Sequence, residues 1–337
     1  MADQGQRRMS LAEQILAIDL CAGAGGWACA ARGLPITIVA AVDLWEPACV
    51  TYRLNHPGTE VICGDVRERE TQERILELSR KVKIDLVLGG IPCAWLSIRR
   101  NVGNQPEEAE MENERATLRA VLSLVERIGP TWWCLEDVKR LAAELPAGMP
   151  WRELDAADFS AQRRKRIYVG RFPTPPGFGP LLDAPSERVA ADCLRSGPYR
   201  IGKRTFGREP SMSDTFAVDK CYVANPAKKA PTICCTSSRR DPEYVIADDR
   251  LPGGMRQIEW QEAAALQGFP ADYLFYGSPT DVWYMVGRAV QIDTARAILR
   301  GIVQAKQDIG KSLHDPPLAR LRKASPRGGK LSGKESQ

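Results

Sequence analysis

Short apolar runs alternate with amphipathic ones over the first half of the chain. Ile15–Leu20, Ile36–Val42, Val61–Cys63, Ile84–Leu88 and Trp132–Leu135 read as strands. Between them, Trp27–Arg32, Glu46–Asn55, Thr71–Lys81 and Glu114–Ile128 read as helices, the last with Leu118, Val121, Leu122 and Val125 at helical spacing. Strands separated by helices predict an α/β domain: a doubly wound, mostly parallel sheet with both faces covered. Ile167–Val169 reads as a further strand. The pattern then breaks. "FPTPPGFGP", from Phe172 to Pro180, marks a boundary near residue 172. Residues to about 250 show weak periodicity and clustered bases, among them Arg195, Arg200, Lys203, Arg204, Arg208, Arg239 and Arg240, with Tyr199, Phe206 and Tyr222 interleaved. Helical patterning returns at Glu259–Leu266 and Trp283–Val303.

Composition narrows the class. The 337 residues are 44% hydrophobic and 26% charged, which is ordinary for a folded protein and allows one large domain and a smaller one. Part of the net charge of +5 gathers at the end: residues 311–337 hold seven Lys or Arg against two acids. They read as a basic disordered tail, either a loose hold on nucleic acid or a solvated terminus. No run approaches the ~20 apolar residues that span a bilayer. "MADQGQRRMS" lacks the apolar core of a signal peptide. Ten cysteines without an export signal suggest reduced thiols in a cytosol, bacterial or of a phage-infected host. No C-x-x-C occurs and the only histidines are His56 and His314, so no metal is expected. Most of the cysteines are expected to be small core residues.

Three strand ends carry chemistry. Ile15–Leu20 runs into Cys21-Ala-Gly-Ala-Gly-Gly26 and then a helix, an arrangement that offers backbone N–H groups to a nucleotide-like ligand. Asp43, twenty residues after Gly23, stands where an acid accepts from ribose hydroxyls, and Asp65 is placed to meet an adenine amino group. Gly23-x-Gly25-x-x-Ala28 fits a dinucleotide fingerprint equally, so NAD stays open, as do glycines that merely pack. "GGIPCAWLS" puts Cys93 after the fourth strand, and "CLEDVKR" puts Glu136 at the tip of the fifth. Arg164 and Arg166, two apart, share a face at the start of the next strand. Carboxyl ends of strands form the ligand crevice of such a sheet.

"AIDLCAGAGGW", "GDV", "GGIPCAWLS", "ENERATL", "CLEDV" and "QRRKRIYVGRF", followed by "MRQIEWQEAAALQGFPADY" and "YMVGRAV", resemble in order and spacing the motifs of DNA cytosine-5 methyltransferases over about 14–172 and 250–305. The resemblance implies the S-adenosylmethionine-dependent methyltransferase fold, with a cofactor-binding and catalytic domain at 1–172. It also implies a smaller, irregular target-recognition domain at 173–250, and C-terminal helices at 251–310 that return to the catalytic domain. It implies a monomer acting on double-stranded DNA, in restriction-modification or phage DNA modification, without membrane or metal. Cys93 is implied as the nucleophile that adds to a flipped cytosine, Glu136 as the group on its ring nitrogen and amino group, and Arg164 and Arg166 as holders of base, thiolate or phosphate. S-adenosylmethionine is implied at Asp19, Cys21, Ala22, Gly23, Gly25, Gly26, Asp43, Leu44, Asp65, Val66, Pro92, Arg288 and Ala289. Ser97, Arg99, Arg100, Arg204 and Arg239 are expected at DNA. The rival readings are an NAD oxidoreductase and a non-catalytic DNA-binding relative.

The chain departs from the family pattern at Ala94, where the family has Gln, at Asp137, where it has Asn, and at Arg256-x-Ile258-Glu259, where it has Arg-x-Leu-Thr. The family's closing Gly-Asn-x-Val is Gly287-Arg288-Ala289-Val290 here. A guanidinium facing a sulfonium ~4 Å away repels it by ~4 kcal/mol at an effective dielectric of ~20. A carboxylate on the transferred carbon reverses that sign. Arg288 therefore points to carboxy-S-adenosylmethionine as donor and 5-carboxymethylcytosine as product. Ordinary methylation, with Arg288 paired to Asp19, Asp137 or a phosphate, is the alternative.

Overall fold

The computed structural model describes residues 14–92, 108–173, 187–194, 215–218, 221–224, 226–234, 245–247 and 255–314. Cys93, Ser97, Arg99, Arg100, Arg204, Arg239 and the tail from 315 lie outside them.

The first half follows its apolar pattern. β1 (Ile15–Leu20), α1 (Gly26–Ala31), β2 (Ile36–Asp43), α2 (Glu46–Asn55), β3 (Glu60–Cys63), α3 (Arg69–Lys81), β4 (Leu86–Gly90), α4 (Glu108–Ile128) and β5 (Trp132–Asp137) alternate as expected. β1 and β4 are largely buried on both faces and, apart from Asp19, apolar, which is what parallel strands under two helix layers require. β6 (Trp151–Asp155) and β7 (Lys165–Val169) complete a seven-stranded sheet in the order β3-β2-β1-β4-β5-β7-β6. The first five strands run parallel, β7 runs antiparallel to β5, and β6 forms the edge antiparallel to β7. Strand order reverses between β1 and β4, so the ligand crevice belongs at their carboxyl ends. Because β7 is antiparallel, its beginning lies at that same rim, and that is what brings Arg164 and Arg166 there.

Two apolar clusters cover the sheet. One packs α3 and α4 through Ile75, Leu76, Leu118, Val121 and Leu124. The other packs α1 and three later helices: α5 (Trp260–Leu266), α6 (Pro279–Arg288) and α7 (Ile292–His314). The helix expected over Trp283–Val303 is thus two helices, broken at Ala289–Gln291. Ala289 is extended (φ −60°, ψ 144°). The last carbonyls of α6 are satisfied from outside: Arg164 Nη2 donates to Gly287 O (3.3 Å) and Ala289 O (3.1 Å), and Gln267 Nε2 to Val286 O (2.6 Å). Side chains replace the next helical turn. α7 also runs to His314, four residues into the stretch expected to be a disordered tail.

Four short strands, β8 (Thr215–Val218), β9 (Cys221–Ala224), β10 (Val245–Ala247) and β11 (Met255–Gln257), form a second sheet in the order β11-β10-β9-β8. Other parts of the expected recognition segment belong to the main core. Ala190, Ala230 and Ile233 are buried in the α5–α7 cluster, and Ala230 exchanges backbone hydrogen bonds with Ala161 and Arg163 at 2.7 Å. No helix among the described residues is long and apolar enough to cross a membrane.

Candidate active site at the carboxyl rim

The glycine loop is built around Asp43. Its carboxylate accepts from Gly23 N (2.7 Å) and Trp45 N (2.9 Å), joining the loop after β1 to the turn after β2. Burial holds its pKa above the usual carboxylate range. Each carboxylate oxygen retains a second lone pair, so the acid can still accept from a hydroxyl. Ala22 N donates to Val42 O (2.9 Å), and Cys21 adopts φ +51°, an uncommon conformation for a residue other than glycine. A Cβ on Gly23 would meet nothing within 4 Å: the loop opens outward there. Beneath it, Asp19 is fully buried, its Oδ2 accepting from Tyr52 Oη (3.4 Å) and its Oδ1 without a hydrogen-bond partner. Desolvation raises its pKa strongly.

Asp65 is paired at the same rim. Arg67 holds it through Nε (2.9 and 3.0 Å) and through the backbone (2.9 Å), which lowers its pKa. The carboxylate is already committed. Val66 is buried beside it, whereas Leu44 exposes 64% of its surface at the same rim.

Strand register aligns the catalytic candidates. Leu20 pairs with Gly89, and Gly90 pairs with Glu136, which pairs with Tyr168. Ile91 N donates to Glu136 O (3.1 Å), so the chain leaving β4 toward Pro92 is tied to the tip of β5. Glu136 is 5% exposed, and Arg166 Nε lies 3.2 Å from its Oε1, close enough to pair but out of line for a hydrogen bond. Desolvation raises the pKa of Glu136, against the lowering pull of Arg166 and then Arg164. Arg164 is buried and spends its Nη atoms on Ile233 O (3.0 Å), Gly287 O and Ala289 O. It joins β7 to the end of α6, and its Nε alone is without a partner.

The closing segment reaches the same place. Val290 lies against Gly26, where a Cβ would come within 2.8 Å of Val290 Cγ1. Arg288, exposed, stacks over Tyr284 at 5.0 Å, and its charge pulls the pKa of Asp43 down. Glycine loop, two strand tips, an antiparallel arginine strand and a returning helix end thus meet at one rim.

The sequence matches the C-5 cytosine-specific DNA methylase family over residues 15–145 and 199–304. The chain belongs to that family. This methylase is 26% identical to type II methyltransferase M.NgoMIV of Neisseria gonorrhoeae, over 87% of the chain and 98% of that protein. It is 23% identical to M1.HphI of Haemophilus parahaemolyticus, over 85% and 86%. Its fold resembles that of the S. pombe Dnmt2 methyltransferase (TM-score 0.64, 15% identity, 87% and 99% covered) and of the Entamoeba histolytica methyltransferase EhMeth (TM-score 0.60, 13% identity, 87% and 98% covered). The methylase is a DNA cytosine-5 methyltransferase, of a family supplied by S-adenosylmethionine. The donor fits the rim: the loop is open at Gly23, and Asp19 Oδ1 is a buried acceptor with nothing to accept from.

Sequence reasoning missed several residues that build the methylase's rim. Tyr273 donates to Ala24 O and meets His56 Nε2 (3.1 Å). Gln162 is fully buried, donating to Leu266 O (3.1 Å) and Gln267 Oε1 (3.0 Å) and accepting from Ile233 N (3.0 Å). Their partners lie far away in sequence, so no local spacing betrays them.

Proposed function

We propose that this methyltransferase acts on a cytosine turned out of the duplex, with Cys93 as nucleophile and Glu136 as the group that meets the ring edge. The observation that carries the reading is Glu136. It is buried, its pKa is raised, and its own carbonyl holds the chain two residues before Cys93. The Cys93 thiolate adds to carbon 6, and the electron pair of the 5,6 double bond moves to carbon 5. A protonated Glu136 donates to the ring nitrogen as that charge develops. Arg166 orients Glu136, and Arg164 holds the rim together. S-adenosylmethionine, when bound, supplies an electrophilic methyl group. Asp43 accepts from its ribose hydroxyls, the Gly23–Gly26 backbone faces its polar end, and Leu44 covers its base. Loss of the carbon 5 proton then expels Cys93. Residues 173–250 supply target recognition, with Arg204, Arg239, Ser97, Arg99 and Arg100 at DNA.

Duplex DNA carrying 5-fluorocytosine, which has no carbon 5 proton to lose, should trap a covalent complex. The complex should be absent with Cys93→Ala; a complex that persists would overturn the role of Cys93. Glu136→Gln keeps the shape and loses the proton, and should lower kcat by about 10²–10⁴. The raised pKa gives the pH sign. The protonated carboxyl persists above its ordinary range and is lost as pH rises through the folded value. The alkaline limb of kcat/KM should therefore be missing in Glu136→Gln.

Arg288 favours a second reading, that the donor carries a carboxylate on the transferred carbon and the product is 5-carboxymethylcytosine. The guanidinium lies at the cofactor rim and has no ion-pair partner among the described residues. Each donor is supplied with duplex DNA and the nucleosides are weighed. A mass gain matching a carboxymethyl group in place of hydrogen, seen with the carboxylated donor and lost in Arg288→Asn, supports the reading. A gain matching a methyl group alone with both donors refutes it.

A further inference from the structure

Against the Asp43–Leu44 turn, three side chains converge that the transfer reaction does not use. Cys49 comes from α2, Glu46 from its first turn and Cys63 from the end of β3, where it pairs in register with Asp43. Their ligand atoms all lie within 4.8 Å of one another; Cys49 is buried, while Glu46 and Cys63 are exposed. The two thiols donate to successive carbonyls of the turn, Cys49 to Asp43 O (3.3 Å) and Cys63 to Leu44 O (3.9 Å).

We propose that Cys49, Cys63 and Glu46 form a binding site for a thiophilic divalent cation of the zinc class. Donor chemistry selects the metal: two sulfurs and one carboxylate suit zinc, whereas magnesium and calcium require oxygen sets. Geometry permits it. A tetrahedron built on ~2.3 Å zinc–sulfur bonds has edges of ~3.8 Å, so ligands already within 4.8 Å close by ~1 Å or less. The exposed sides of Cys63 and Glu46 give the ion an entrance, and water takes the fourth position.

Binding has a defined proton balance. Each thiol gives up one proton as its sulfur takes the metal, so two protons leave per ion and affinity rises with pH. Without metal the two thiols keep their bonds to the turn. Ion binding removes both S–H donors from the Asp43 and Leu44 carbonyls. The same turn is tied to Gly23 through the Asp43 carboxylate.

The full-length protein is stripped of metal and titrated with Zn²⁺ against a chromophoric chelator, and with Cd²⁺ while thiolate-to-metal charge-transfer absorption is followed. Cys63→Ser is the main variant because its side chain is exposed and its loss leaves the fold intact. Cys49→Ala is the second. Wild type should bind one equivalent more than either variant, with cadmium absorption reduced to match. Glu46→Gln should keep the stoichiometry and weaken binding by about tenfold or more, the cost of outer-shell substitutions being a floor. Equal stoichiometry and affinity in wild type and Cys63→Ser would overturn the proposal. The readout involves neither DNA nor methyl donor, so it stands or fails independently of the catalytic assignments.

Discussion

Gly23 and Gly26 stand three residues apart in one loop and are needed for different reasons. Gly23 has open space around its missing Cβ but sits at φ +54°, so Gly23→Ala costs about 1–2 kcal/mol of backbone strain. Gly26 is an ordinary helical residue pressed on Val290, whose Cγ1 and carbonyl O lie 2.8 and 3.1 Å from a would-be Cβ. The valine side chain can turn; the carbonyl cannot without moving the break between α6 and α7. Gly26→Ala should destabilise by about 1–3 kcal/mol and weaken donor binding, as calorimetry would show. His56 gives a pH signature. Burial lowers its pKa to about 4, below the unfolded ~6.5. The folded state thus binds the proton less well than the unfolded one. Its contribution is complete above pH ~6.5 and is lost as pH falls toward 4. Urea unfolding across that window should show a shallower slope for His56→Gln.

At the scale of elements, the α5 start depends on a fully buried ion pair. Arg256 at β11 and Glu262 in α5 form a two-pronged pair at 2.7 and 2.8 Å, both fully buried, and Glu262 also accepts from Glu259 N at 2.8 Å. Glu262→Ala removes the two-pronged partner of a buried guanidinium and should cost about 3–5 kcal/mol in chemical denaturation. Elements differed in how plainly the sequence announced them. β1, β2, β4 and β5 are largely buried, so burial writes each as a mostly apolar run, broken by Asp19 in β1 and closed by acids in β2 and β5. β6 is an edge strand reading Trp-Arg-Glu-Leu-Asp, with Trp151 42% exposed, and its polarity hides it. The break after α6 carries no proline; it is made by Arg164 and Gln267, more than a hundred and about twenty residues away, and no local pattern can hold that. The site divides the same way. Asp43, Gly23 and Glu136 are legible because strand ends position them. The commitment of Arg164 to backbone carbonyls is tertiary, as is the meeting of Cys49 with Cys63.

The whole molecule closes on itself. α7 packs against α1, where Arg296 donates to Ala30 O (3.0 Å) and Arg32 O (2.8 Å), and Lys306 reaches back to Gln14 O (2.7 Å) and Asp85 (3.0 Å). Removing residues 289–337 should expose the α1 face, abolish donor binding and give an aggregating chain, measurable by calorimetry and light scattering.

The closure of β1 and α1 by α7 also sets an order of events during synthesis. The glycine loop leaves the ribosome long before Val290 and Arg296, which brace it. At ~5–20 residues per second the loop waits ~10–50 s for its support. A nascent chain therefore carries the parts of a methyltransferase without its assembled donor site. The enzyme becomes competent to modify DNA only once α7 has been made.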